Sequence, residues 1–335
     1  METSSELQTV NVKERVILIL KFLSVGAVFW FLSKKGLVTA GSLHHLLSSP
    51  LTVLLVVILT TINTILGAVR WRGLLAAKGA QVSPSRALEL NLIGNFFNIA
   101  LPGAVSGDFV KAVFVSKQFP EKKGAVFGSM LLDRFLGVSA MVFVAAFSAG
   151  VSSLIDWGGH LPAALLVSIS SVGAGILVFL VYMFNSHQKD PLFKLIRFVT
   201  KRHTRLEIID QLYLGVMDYR TNTRAVFLAI AQSVLIHVFL IVMVFGITMS
   251  VSATPISIVA LAVIVPIGIL ATAIPVLPAG VGTGHAAFFA LFKLVGSDQG
   301  AEVFSLLVMF QIIVGMIGGL FYLRSTAKSV VKKAS

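Results

Sequence analysis

Apolar residues run through this chain in long blocks, to be read against a hydrocarbon core of roughly 30 Å, which takes about 20 helical residues to cross. Such stretches occupy residues 16–32, 51–69, 125–150, 161–184, 225–249, 256–274 and 303–323. The first is long and is followed by Lys34 and Lys35, so it reads as a retained anchor despite the faintly leader-like Val38-Thr39-Ala40. Two regions depart from the simple pattern. Residues 256–295 read as an apolar helix, a break PVLPAGVGTG over 275–284, and a closing helix over 285–295 that is only about 16 Å long at 1.5 Å per residue. Residues 88–115 follow the same plan around the break LPGAVSGD over 101–108. Each break sets Leu-Pro before a glycine-rich stretch ending in Gly-Asp or Gly-His, a weak internal repeat that predicts two broken or re-entrant helical hairpins.

Composition removes the soluble alternatives. Of 335 residues, 56% are hydrophobic and 12% charged, against roughly 25% charged in an ordinary soluble domain. The net charge of +13 needs no nucleic-acid partner, because in a polytopic protein Lys and Arg gather in cytoplasmic loops and beside anionic lipid head groups. Lys13 and Arg15, the group Arg70, Arg72, Lys78 and Arg86, the eight basic residues between Lys189 and Arg224, and Arg324, Lys328, Lys332 and Lys333 are assigned to that side. The connections 151–160, 250–255 and 297–302 carry no Lys or Arg, as exported loops should; Lys34 and Lys35 are the exception.

Seven full crossings would place the two basic chain ends on opposite faces. The expected fold is therefore an all-α polytopic membrane protein with about six full transmembrane helices plus two re-entrant hairpins, one integral domain over 1–335 with both termini cytoplasmic. Within it, the basic connection 185–224 places Leu192, Leu195, Ile196 and Val199 at roughly helical spacing, which predicts an amphipathic helix on the cytoplasmic leaflet. The absence of cysteine excludes disulfides, thiolate catalysis and Cys-type metal sites. No dinucleotide fingerprint, phosphate-binding loop, triad order or metal spacing is present, so no cofactor or metal is expected.

The candidate chemistry lies at the breaks. Irregular backbone at membrane depth is tolerated where it lines a wet cavity or is buried in protein, and helices that restart there aim amides and positive dipole ends at an entering anion. Gly103, Gly107, Gly280, Gly282 and Gly284 either let backbone approach such a guest or permit tight helix packing. Asp108 and Lys111, three residues apart, share a helical face and can pair. Lys111 and Arg134 are the preferred head-group contacts, with an interfacial or carboxylate-paired Arg134 as the alternative. Asn95 and Asn98 can bond a ligand or cap the interrupted backbone, and His285 can donate to an anion or serve as an internal hydrogen-bond partner. His237 and Gln311, inside long apolar runs, read as interhelical contacts.

RWRGLLAAKG at 70–79, GNFFNIALPGAVSGDFVKAV at 94–113, LLDRFLGV at 131–138 and IPVLPAGVGTGHAAF at 274–288 occur in this order. As a set they resemble the lysylphosphatidylglycerol synthase transmembrane domain family, the flippase-like proteins. The resemblance covers most of the chain. It implies an all-helical protein of a bacterial-type inner membrane that moves an anionic or aminoacylated lipid between leaflets. It also assigns a first lipid-facing motif to Asn95, Pro102, Gly103, Gly107, Asp108 and Lys111, and a second to Pro278, Gly280, Gly282 and Gly284. His285 stands where the family commonly has Glu. The soluble aminoacyl-transferase domain of the bifunctional enzyme does not occur in these residues, so lysyl transfer is not implied.

The sequence thus predicts a translocase for an anionic or aminoacylated phospholipid or a polyprenyl-phosphate-linked lipid, transporter-like rather than catalytic. Its expected partners are membrane lipids. Two alternatives stand beside it: a membrane transferase on a lipid-linked donor, with Asp108 as its acid or base, and a noncatalytic membrane partner of a lipid-synthesis enzyme.

Overall fold

The computed structural model describes residues 40–101, 105–154, 162–185, 207–251, 256–274 and 278–334, together with Trp30 and Lys34. The apolar stretch 16–32, the predicted surface helix around 192–199, and the centres of both breaks, Pro102 and Gly103 among them, lie outside the described residues. Every regular element among the described residues is helical. In chain order these are α1 Ala40–Leu47, α2 Pro50–Ala77, α3 Pro84–Ala100, α4 Ser106–Gln118, α5 Lys123–Ser152 and α6 Ala163–Asn185. They are followed by α7 Glu207–Met217, α8 Thr223–Val251, α9 Ile258–Ala271, α10 Thr283–Lys293 and α11 Gly300–Ala334.

Among the described residues, five segments are long and apolar enough to cross a membrane: α2, α5 with the 3-10 turn that precedes it, α6, α8, and residues Gly300–Arg324 of α11. Their outward faces carry bare large apolar side chains such as Leu51, Phe147, Val178 and Phe227, as surfaces solvated by lipid tails do.

The four remaining core helices come as two consecutive pairs, α3 with α4 and α9 with α10, and the partners of each pair pack on one another. At 17, 13, 14 and 11 residues none reaches the roughly 30 Å of a hydrocarbon core at 1.5 Å per residue. Ser83 and Pro84 start α3, the serine hydroxyl accepting from the Arg86 amide at 3.3 Å. It ends where Leu101, which precedes Pro102, takes an extended conformation (φ −121°, ψ 147°), since a following proline disfavours the α region. α9 is apolar all round, which fits a helix walled by protein: Ala260, Leu261, Val263, Ile264 and Val265 are all buried.

The main core joins α3, α8, α9, α10 and α11 through Phe96, Ile247, Leu261, Phe288, Phe292, Phe304 and Leu307. Small residues set its closest seam. A Cβ at Gly318 of α11 would overlap the Leu92 carbonyl of α3, so the backbones meet there directly. The C-terminal part of the basic connection docks on the bundle: α7 lies against α5 with Gly215 and Gly128 in backbone contact, and the buried Tyr219 donates its hydroxyl to the Leu74 carbonyl at 2.7 Å.

One assignment from loop charge is corrected. Arg70 and Arg72 are not loop residues, because α2 continues as far as Ala77, well past the apolar run that ends at 69. The price of carrying Arg70 into the bundle is offset by a buried partner, Asp133.

Candidate functional site

The two helix pairs meet. The 3-10 turn Pro278–Gly280 of the second break packs against α3 of the first, and a cavity of about 450 Å³ opens where they join. α3 and α4 contribute Asn91, Asn95, Asn98, Asp108 and Lys111, while the second pair contributes Thr272 at the end of α9 and Ala279 and Gly280 of its break. α2, α5, α8 and α11 complete the wall, bringing in Arg70, Asp133, Arg134, His237 and Gln311.

Charge in this cavity is organised around two carboxylates. Asp108, with its side chain 6% exposed, receives Lys111 Nζ on Oδ1 at 2.6 Å and Arg134 Nε on Oδ2. Lys111 is equally enclosed. Its Nζ also reaches Asn91 Oδ1 at 3.2 Å and stands 5.1 Å from the Trp71 ring centre. Gly94 makes room for the lysine stem, since a Cβ there would lie 2.9 Å from Lys111 Cδ. Arg134 is more open, with its side chain 39% exposed.

The second carboxylate, Asp133, forms a fork-to-fork pair with Arg70 at 2.7 and 2.9 Å, and Arg70 Nη1 donates to Ser233 Oγ at 2.8 Å. Buried carboxylates need such partners. Arg70, Lys111 and Arg134 against Asp108 and Asp133 leave the ionised lining with one excess positive charge. The excess falls at Asp108, which two cations share. No group of three His, Asp or Glu side chains suited to hold a metal ion occurs among the described residues.

The predicted site residues separate into two sets. Asn95, Asn98, Asp108, Lys111, Arg134 and Gly280 line the cavity; Gly107, Gly282, Gly284 and His285 are not part of its lining. Asn98 acts as a cap, its Oδ1 accepting from the Gly107 amide at 2.8 Å. Gly107 is required by helix approach, because a Cβ would overlap the Gly94 carbonyl, and Gly284 likewise meets the Phe304 ring. Gly280 and Gly282 adopt φ of +67° and +89°, the left-handed region that bends the second break. The Pro278 backbone opens this turn.

His285 is committed internally. Its Nδ1 accepts from the Gly282 amide at 3.3 Å, so Nε2 carries the proton and donates to Ser305 Oγ at 2.9 Å, the serine in turn donating to the Ala301 carbonyl. The ring stands edge-on to Phe304.

Three features escaped the sequence reading: the Arg70–Asp133–Ser233 cluster, the Asn91 bridge from Lys111 to the Thr64 carbonyl, and the exposure of Gln311 to the cavity. The first had a signal. An aspartate inside an apolar run requires a cation, and Asp133 is such a residue. His237 behaves as expected of an interhelical contact, donating from Nε2 to the Gly137 carbonyl at 3.0 Å.

The sequence model of the family described as Lysylphosphatidylglycerol synthase TM region matches residues 16–320. The chain belongs to this family. All four motifs quoted above fall inside the matched range, and with its long apolar helices this family member is an integral membrane protein. It is also similar to a UPF0104 membrane protein of Pyrococcus horikoshii, 30% identical over 135 residues, which are 39% of this chain and 38% of that protein. The chain therefore spans well under half the length of that curated relative. No solved structure matches the family member.

Proposed function

We propose that this protein is a lipid translocase. The polar head group of an anionic or aminoacylated phospholipid, or of a polyprenyl-phosphate-linked lipid, crosses through the cavity while the tails remain in the bilayer. One observation carries the reading: where two interrupted helix pairs meet, a cavity holds a carboxylate shared by two cations, with one positive charge in excess. The family name connects the membrane region to lipid handling. On this reading the two short pairs are re-entrant hairpins that enter from opposite faces of a cytoplasmic membrane.

Asp108 holds Lys111 and Arg134 in place while the cavity is empty of lipid. An arriving phosphate substitutes for part of that pairing, and the planar Arg134 fork suits its oxygens. Exchanging one anionic partner for another avoids leaving a cation bare in a poorly solvated site. Both Asp108 oxygens already receive a cation, and those pairings favour the ionised carboxylate over one that has taken a proton from a substrate. This favours binding over transferase chemistry.

The test uses purified full-length protein in phosphatidylcholine vesicles with a trace of acyl-labelled phosphatidylglycerol, and reads leaflet exchange by quenching of the outer leaflet. Exchange should exceed that of protein-free vesicles, and Arg134→Gln should slow it by about tenfold, the weight of one lost charge-assisted contact. Exchange equal to that of protein-free vesicles overturns the translocase reading. New lipid products formed in detergent would establish the transferase instead.

A further inference from the structure

Two uncharged amides of the lining take no part in these pairings. Asn95 of α3 and Gln311 of α11 both line the cavity, and neither side-chain amide hydrogen-bonds to a described residue or is sealed from the cavity. They face one seam. Gly315, one turn beyond Gln311 on the same face of α11, lies so close to α3 that a Cβ there would stand 3.5 Å from the Asn95 carbonyl oxygen.

Most other polar side chains of the lining are engaged, while Asn63 Oδ1 and His237 Nδ1 are enclosed without a partner among the described residues. Asn91 bridges Lys111 and the Thr64 carbonyl, and Asn98 caps Gly107. Asn63 turns its nitrogen to the Ile236 carbonyl, while Thr64 and Thr272 donate to carbonyls of their own helices. The amides of Asn95 and Gln311 are thus both open to a guest, Asn95 standing one helical turn from the Asn91 that bonds Lys111.

We propose that Asn95 and Gln311 form a neutral hydroxyl-reading subsite beside the cationic one, so that the favoured cargo is an anionic lipid whose head group carries hydroxyls, glycerol-like or sugar-like, rather than an aminoacylated one. An amide offers a donor and an acceptor together, which is what a hydroxyl offers in return. An ammonium can use only the carbonyl half, and it would enter a cavity that already carries excess positive charge. A pair of amides shaped for hydroxyls also discriminates against a head group that lacks them, because their polar atoms are then left without partners.

This inference rests on the translocase reading, and its test separates the two. The full chain in phosphatidylcholine vesicles is given three acyl-labelled lipids: phosphatidylglycerol, phosphatidylmethanol with the same charge and no hydroxyl, and lysylphosphatidylglycerol. Phosphatidylglycerol should exchange about tenfold faster than phosphatidylmethanol, and faster than lysylphosphatidylglycerol. The near-isosteric variants Gln311→Met and Asn95→Leu should bring the first ratio towards one. Equal rates for phosphatidylglycerol and phosphatidylmethanol in the unmodified protein, or a preference for the lysyl lipid, overturn the subsite and leave the translocase standing. No exchange of any of the three overturns both.

Discussion

The two helix pairs share a sequence plan and put it to different uses. In the first, the break is followed by Gly107 and Asp108, and the aspartate gathers Lys111 and Arg134 at the cavity. In the second, the matching positions are Gly284 and His285, and the histidine ties its own turn to Ser305 beneath the Phe304 ring. One pair presents charge to the cavity. The other presents the backbone of Ala279 and Gly280, in a turn that bends again at Gly282, while Phe288 and Phe292 of α10 and Phe304 of α11 pack on one another. A shared motif fixes where a helix breaks, and the residue ending the motif decides whether that break carries a charged cluster or an internal brace.

Mutations at the corresponding positions should separate these roles. The largest effect is expected at Asp108. Asp108→Ala leaves Lys111 enclosed without its counter-ion, which should cost on the order of 3–5 kcal/mol of stability and lower the melting temperature in detergent. Gly107→Ala comes next, at about 1–3 kcal/mol, because the added Cβ forces the α4 backbone away from the Gly94 carbonyl. The same melting measurement should register it.

His285→Gln removes the ring that joins Gly282 to Ser305 and should cost about 1–2 kcal/mol. Here the sharper reading is a ratio: melting temperature should fall proportionately more than lipid exchange, whereas Arg134→Gln should do the reverse. A His285 variant that melts normally yet loses exchange would erase the distinction between the two pairs. The smallest change is a gain. Ala279 is held at φ +56°, and Ala279→Gly should stabilise by up to about 1 kcal/mol by removing the left-handed strain of an L side chain.

Much of this architecture was legible because membrane spans are written in length and apolarity. The stretches 51–69, 125–150, 225–249 and 303–323 fall within long helices, as does 161–184 from Ala163 onward. The breaks were legible too, since Leu-Pro followed by glycines interrupts a helix for local reasons, and the observed α9 and α10 lie within three residues of their expected bounds. The pairing of Asp108 with Lys111 follows from a spacing of three along one helix.

What local reasoning could not supply is the company these residues keep. Arg134 meets Asp108 across 26 positions of sequence, and Arg70 meets Asp133 across 63. The sequence pattern places Arg70 in a loop because a positive charge next to an apolar run usually marks its end. A buried salt bridge let the helix continue instead. Gln311 gave no sign of opening on a cavity rather than touching a neighbour, since both uses put an amide on an apolar helix.

The central claim is that both breaks line one cavity open to polar guests. The chain contains no cysteine, so single-cysteine variants report without background. Asn95→Cys and Thr272→Cys, one on each side of the junction, should both react in vesicles with a small charged thiol reagent, and anionic lipid should slow both reactions relative to pure phosphatidylcholine. If both thiols stay unreactive in every lipid composition, or if only one reacts and lipid leaves its rate unchanged, the two breaks do not share a head-group cavity.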